Sequence, residues 1–286
     1  MKSHQTFNDG YYAYQYNDNT TLFYEFKILR RGVIRLFSSH DLCYPFYESR
    51  IHRGGSGFDK KMLMLEEIFD NNMNLFIDEL KHYHKNVKAF RSFKFYNETS
   101  FQTAIENILP NCFISEMRLI ADRKDQLYKY MFVDMFLCDV KFGAYSAAFE
   151  LKYFNLIGLL SGESGRWEEN PSYQSLFNLD QKLKNESADR LLDRDYIYWC
   201  KDEHKHKSIK VKNYIDNGEI QLNTYINILK RGISSREKVG IFDNRIKCSV
   251  GNSFVMGYLI VCFGTERIMV KHAKVKKCDY MFSLNR

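Results

Sequence analysis

Ser146-Ala-Ala-Phe-Glu-Leu-Lys-Tyr-Phe-Asn-Leu156 sets two charges, Glu150 and Lys152, inside a run that otherwise reads as a buried strand. Side chains two apart on a strand point to the same face. Ala148, Glu150, Lys152 and Phe154 therefore share one side, and Ala147, Phe149, Leu151 and Tyr153 the other. A carboxylate in that setting costs several kcal/mol, roughly, unless a cation or a partner charge compensates it. The tripeptide alone has two readings, a metal ligand with a catalytic neighbour or a buried ion pair. The same Glu-x-Lys pattern recurs at Glu25 to Lys27, Glu79 to Lys81 and Glu203 to Lys205, so context must choose among the copies.

Upstream, Tyr130-Met-Phe-Val-Asp-Met-Phe-Leu137 is apolar on both faces except at Asp134, the same anomaly as Glu150. Strands are expected at Cys112 to Ile120, Tyr128 to Cys138 and Ala147 to Leu156. Before them, Asn97 and Ser100 are acceptable N-caps, Phe101, Ile105, Ile108 and Leu109 lie on one helical stripe, and Pro110 stops the pattern, which predicts a helix of about three turns. If the strands pair, Asp134 and Glu150 converge with the Leu151 carbonyl on one divalent cation. An all-oxygen set suits Mg²⁺ or Mn²⁺ better than zinc. Lys152, on the face of Glu150, would then orient or help deprotonate a water that attacks a phosphodiester. Glu116, on the first strand, is either part of this set or a carboxylate that an alternating strand presents to water.

The order helix, Glu116, Asp134, Glu150-x-Lys152 resembles the PD-(D/E)xK nuclease superfamily, with its restriction-endonuclease-like fold. Downstream, Ile220-Gln-Leu-Asn-Thr-Tyr-Ile-Asn-Ile-Leu-Lys-Arg-Gly232 is similar to the Gln-x-x-x-Tyr helix that follows the metal site in RecB-like members. Residues four apart share a helix face, so Gln221 and Tyr225 can face the site while Leu222, Ile226 and Leu229 face the core. The resemblance runs from about Asn72 to Val270 and is nearest to the branch often joined to AAA-type ATPase domains or found in eukaryotic effector-like proteins. It implies that Asp134 and Glu150 bind metal, Lys152 is catalytic, Glu116 assists beside the metal, and Gln221 and Tyr225 support the site or the nucleic acid. Val133 stands where the motif has proline, no Gly-Arg precedes Asp134, and no Walker-type glycine-rich loop occurs.

The expected architecture is α/β, a central mixed β-sheet flanked by helices, in a nuclease-like domain spanning 58–286. Residues 1–57 read as an N-terminal extension with strand-like runs at Leu22 to Leu29 and Val33 to Phe37, ending in Gly54-Gly55-Ser56-Gly57. Lys60 to about His84 reads as helix interrupted near Asp70-Asn71-Asn72, with His82 and His84 as exposed helix-end residues. Residues 161–218 are charged and poor in aliphatic residues, and are expected to form an insertion outside the core and a possible docking surface for a protein partner. A helix is expected from Glu219 to Arg231, and a hairpin from Met256 to Val270 around Gly264-Thr265-Glu266. Cys200, His204 and His206 have metal-ligating chemistry, but a solvated charged loop is the better reading.

With 45% hydrophobic and 27% charged residues in 286, the chain is globular rather than disordered. Its net charge of +7 favours an anionic partner. The seven scattered cysteines do not form a disulfide framework and suit a reducing compartment, nucleus or cytoplasm. No apolar run is long enough to span a bilayer, so no membrane partner is expected. Two functions remain open: metal-dependent hydrolysis of nucleic acid, with DNA as the expected substrate, and a catalytically inactive nuclease-fold module that binds nucleic acid or a host factor.

Overall fold

The structure, a computed structural model, describes residues 3–7, 11–15, 21–28, 34–38, 56–86, 97–121, 129–138, 144–234 and 238–285, with the first four stretches, residues 56–59 and residue 129 described by backbone alone. The chain divides into two units, Met1–Lys60 and Lys61–Arg286. In the first, β1 (Ser3–Phe7), β2 (Tyr11–Gln15), β3 (Thr21–Ile28) and β4 (Ile34–Ser38) form an antiparallel meander in sequence order. Of the Gly54-Gly55-Ser56-Gly57 run, the first two lie outside the described residues, and Ser56 and Gly57 open the helix α1 (Ser56–Phe69).

The second unit is built on a mixed six-stranded sheet. Its strands are β5 (Phe113–Ala121), β6 (Lys129–Cys138), β7 (Tyr145–Phe154), β10 (Gly240–Ile241), β11 (Ile246–Phe263) and β12 (Arg267–Leu284), in the order β10-β5-β6-β7-β11-β12. β5, β6 and β7 pair antiparallel, and β11 returns parallel to β7, with Phe254 opposite Tyr145 and Phe263 opposite Phe154. A parallel pair in mid-sheet is covered on both faces, and both strands read accordingly as near-continuous apolar runs. The two phenylalanines at the end of the pair stack with centroids 4.7 Å apart.

Helices α2 (Asn74–Asn86) and α3 (Glu98–Ile108) cover the face of Phe149 and Tyr153, where Phe76 meets Phe149 edge-on and Phe101 lies against Tyr153. The Asn97 side chain accepts from the Ser100 N–H at 2.9 Å, so the expected cap forms. The opposite face is covered by α7 (Val211–Leu229), along β7 and β11. This helix starts two turns before the expected Glu219, because Lys210 closes the preceding hairpin and Val211 and Ile215 are buried. Gly257 leaves room for it against β11: a Cβ there would come within 2.4 Å of the tip of Ile226, Cδ1, and 2.9 Å of Ala273 Cβ.

Residues 161–218 are not outside the core. They contain the end of α4 (Leu156–Ser164), then α5 (Tyr173–Asn185), α6 (Ala188–Leu192), the hairpin β8 (Asp195–Cys200) and β9 (Lys205–Lys210), and the first turns of α7. Leu176, Leu179 and Leu183 form a buried stripe at helical spacing, and Leu191, Tyr196 and Ile197 are buried too. Three leucines suffice to dock a helix in an otherwise polar segment. Asp180 of α5 is buried and accepts from the N–H (3.0 Å) and hydroxyl (2.7 Å) of Thr265, in the β11–β12 turn. From the other side, the His84 ring donates to the Thr265 carbonyl at 3.0 Å. His84 is therefore buried, not an exposed helix-end residue as its place in the sequence implies.

Candidate active site

β6 and β7 are paired only from Met135↔Phe149 to Cys138↔Ser146. The next pair in register, Asp134 opposite Glu150, is not bonded, and from there the strands part while β6 stays paired to β5. The sheet thus forks where its two anomalous carboxylates sit. The Leu151 N–H, which would have continued the ladder, instead donates to Asp134 Oδ2 at 2.6 Å. The N–H and C=O of one strand residue point to the same side, so the Leu151 carbonyl also opens on the fork.

Glu150 is fully buried. Its Oε1 accepts from Lys152 Nζ at 2.5 Å, while Oε2 is buried with no hydrogen-bond partner. Buried polar atoms are almost always satisfied, so this oxygen calls for an explanation, of which an ion or a water is one. The ion pair therefore occupies one oxygen of this side chain and leaves the other without a hydrogen bond. Burial pushes the Glu150 and Asp134 carboxyls above the ordinary carboxylate range; for Asp134 the Glu150 charge adds to the rise, whereas for Glu150 Lys152 partly offsets it. For Lys152, burial acts to lower the pKa, but the Glu150 carboxylate outweighs it and the ammonium is held above its usual range. Lys152 is thus a fixed cation in this state, suited to orienting a phosphate or water and poorly suited to removing a proton.

The α7 side of the fork carries Tyr225, whose hydroxyl interacts with the Glu150 carboxyl and is itself held by the Gln221 amide. Burial is the main reason the Tyr225 phenol stays protonated far above neutral pH. Tyr214, about three helical turns upstream, turns its ring toward Lys152 Nζ at 5.8 Å from the centroid. Gly218 lies between them: a Cβ there would meet Leu259 Cδ1 at 3.0 Å and Lys152 Cε at 3.3 Å, so its absence leaves room for the lysine stem.

A fourth group, Glu98, is absent from the sequence-based set. It is the first residue of α3; the residue as a whole is exposed, but its carboxyl is crowded by protein, accepts the Tyr153 N–H and feels the Lys152 charge. Burial raises its pKa, and those two contacts oppose the rise. The Tyr153 N–H, two residues beyond Leu151, ties it to the fork. Glu98 stands next to the Asn97 cap, where an acidic residue is ordinary helix-dipole chemistry, so no local signal marked it.

Glu116 lies opposite Asp134 in the β5–β6 register, but its φ of 52° breaks the ladder between Ser115↔Met135 and Met117↔Val133. It is exposed at the rim, and its carboxyl is raised by burial and by Glu98 and Glu106. The structure thus brings together Asp134, Glu150, Leu151, Lys152, Gln221 and Tyr225, and sets Glu116 beside Glu98 rather than beside Glu150. A left-handed φ at a non-glycine residue is strained and recurs at functional sites. Among the described residues no cluster of three His, Cys, Asp or Glu side chains has metal-cage geometry. His206 is stacked on Trp167 at 4.3 Å, in place of the alternative ligand role with Cys200.

No family model, curated protein or solved structure matches the chain. The site therefore rests on its own chemistry. No helix among the described residues is long and apolar enough to cross a membrane.

Proposed function

We propose that this chain is a divalent-cation-dependent nuclease hydrolysing phosphodiester bonds of nucleic acid, with DNA as the expected substrate, on a restriction-endonuclease-like core. The observation that carries the reading is the orphan Oε2 of Glu150, buried beside Asp134 at the point where β6 and β7 part. Asp134, Glu150 and the Leu151 carbonyl would supply oxygen donors, the chemistry preferred by Mg²⁺ or Mn²⁺. When bound, the cation supplies Lewis acidity to the phosphate and makes water a stronger acid. Lys152 contributes a positive charge to an oxyanion as it forms, and burial makes that charge worth more than in water. The Tyr225 hydroxyl and Gln221 amide hold the Glu150 carboxyl in place.

The test is incubation of the chain with end-labelled single-stranded, duplex and branched DNA and with RNA, in Mg²⁺, Mn²⁺ or EDTA. Cleavage is expected only with the cation and is expected to disappear in Asp134→Asn and Glu150→Gln. Absence of cleavage on every substrate would sink the enzyme reading. The second reading, a binding module without turnover, draws on the contact between Lys152 and Glu150, which already neutralises that carboxylate without an ion. It predicts nucleic-acid binding with a steep salt dependence and no calorimetric signal for Mg²⁺.

A further inference from the structure

Beyond the fork, β6 carries two more side chains on the face of Asp134, at the two-residue spacing of a strand: Phe132 and Tyr130. Both are exposed, at 41% and 46%, although they lie in the sheet of an otherwise well-covered unit. Arg118 of β5 is directly opposite Phe132 in register, and its guanidinium lies 5.9 Å from the centroids of both rings. Phe242, just past β10, adds a third exposed ring, 6.1 Å from that of Tyr130. Among the described residues the Arg118 guanidinium has no carboxylate partner. The nearby Asp243 accepts from Arg245 at 2.6 Å and from the Arg118 backbone N–H at 3.2 Å, so its charge is already engaged. Arg118, Phe242, Glu116 and Arg245 also line a cavity of about 580 Å³.

We infer that Arg118, Tyr130, Phe132 and Phe242 form a base-stacking platform that feeds an unpaired strand of nucleic acid toward Asp134, so that the substrate is single-stranded or has a single-stranded end. This rests on the nuclease reading for the meaning of the fork. Exposed rings with an unpaired arginine are the chemistry by which proteins hold single strands, because every base has a π-face and the guanidinium adds attraction to both ring and phosphate. A duplex hides those faces in its own stack. Alternate residues on a strand stand about 7 Å apart, so Phe132 and Tyr130 can each take one splayed base while the phosphate ahead of them reaches the fork. The overall positive charge of the chain and the shared face with Asp134 favour this occupant over a second copy of the protein.

The test is fluorescence anisotropy in EDTA, with labelled oligothymidylate, oligouridylate and a blunt duplex of equal length, on the full chain. Single strands are expected to bind more tightly than duplex. Phe132→Ala and Arg118→Ala are each expected to weaken single-strand binding about tenfold, and Phe132→Ala to leave duplex binding unchanged. Phe132→Leu, which keeps bulk but has no π-face, is expected to behave as Phe132→Ala and guards against a folding defect. Equal or tighter duplex binding, or wild-type single-strand binding by the variants, overturns the platform. So does a dimer in sedimentation that the same variants dissociate. Binding without Mg²⁺-dependent cleavage leaves the platform standing and removes the nuclease reading, whereas cleavage with binding insensitive to Phe132 and Arg118 does the reverse.

Discussion

Replacing Asp134 by asparagine is expected to stabilise the cation-free protein while abolishing its response to Mg²⁺. Asp134 and Glu150 are cross-strand neighbours in register, a relation that puts Cβ atoms about 5 Å apart. Two unit charges at that separation repel by about 3 kcal/mol at an effective dielectric of 20, and Lys152 offsets part of this through its contact with Glu150. Asparagine keeps an oxygen to accept the Leu151 N–H and drops the charge. A gain of about 2 kcal/mol at pH 8 in EDTA follows, or roughly 4–8 °C in Tm for a unit of this size. The pH dependence has a definite sign. A carboxyl raised in the folded state holds a proton that the unfolded chain releases, so stability falls as pH rises from the ordinary carboxylate range through neutrality. At pH 5 Asp134, whose carboxyl is pushed up to about 8, is protonated in the folded wild type, so the gain should shrink there and vanish only below the ordinary carboxylate range. Saturating Mg²⁺ should reverse the order at pH 8, because only the wild type gains by linkage, by about 2.7 kcal/mol at a hundred times Kd. Circular-dichroism melts and urea titrations at pH 5 and 8, with EDTA or Mg²⁺, read all of this. A variant no more stable than wild type at pH 8 in EDTA, or equally stabilised at both pH values, would refute the reasoning.

Three further outcomes are expected. Lys152→Met leaves the Glu150 carboxylate buried without its cation, which costs about 3–5 kcal/mol; the loss should be smaller at pH 5 than at pH 8, since Glu150 can then take up a proton, and equal losses in urea titrations would contradict the ion pair. Gly257→Ala sets a Cβ 2.4 Å from Ile226 Cδ1 and 2.9 Å from Ala273 Cβ, so it should lower the urea midpoint by the equivalent of about 1–3 kcal/mol by pushing α7 off β11. Glu116→Gly relieves the positive φ and removes a like charge near Glu98, so a gain of about 1 kcal/mol is expected; a loss on denaturant titration would show that its carboxylate holds the rim together.

What could be read from the residues was chemistry acting over a turn or two. The Asn97 cap, the stop at Pro110, the turn at Gly264 to Glu266 and the Gln221 to Tyr225 spacing all depend on neighbours within four positions, and each forms. Asp134 and Glu150 were legible for another reason: a charge in an apolar strand is anomalous wherever the strand ends up. The leucine stripe of α5 was lost because it is diluted by polar residues, and composition averages over a face that packing selects. His84 was misread because its carbonyl partner, Thr265, is far away in the chain.

The sequence by itself determined that there are two charged anomalies on consecutive apolar strands and a helix with polar residues on one face. Only the tertiary structure decided that β11 returns parallel to β7, that the sheet forks between Asp134 and Glu150, and that Glu98 reaches the fork from α3. Burial and register are properties of surfaces that meet across more than a hundred residues. The chain can specify them only through the sum of its packing, so the orphaned Oε2 of Glu150 exists in no single stretch of it.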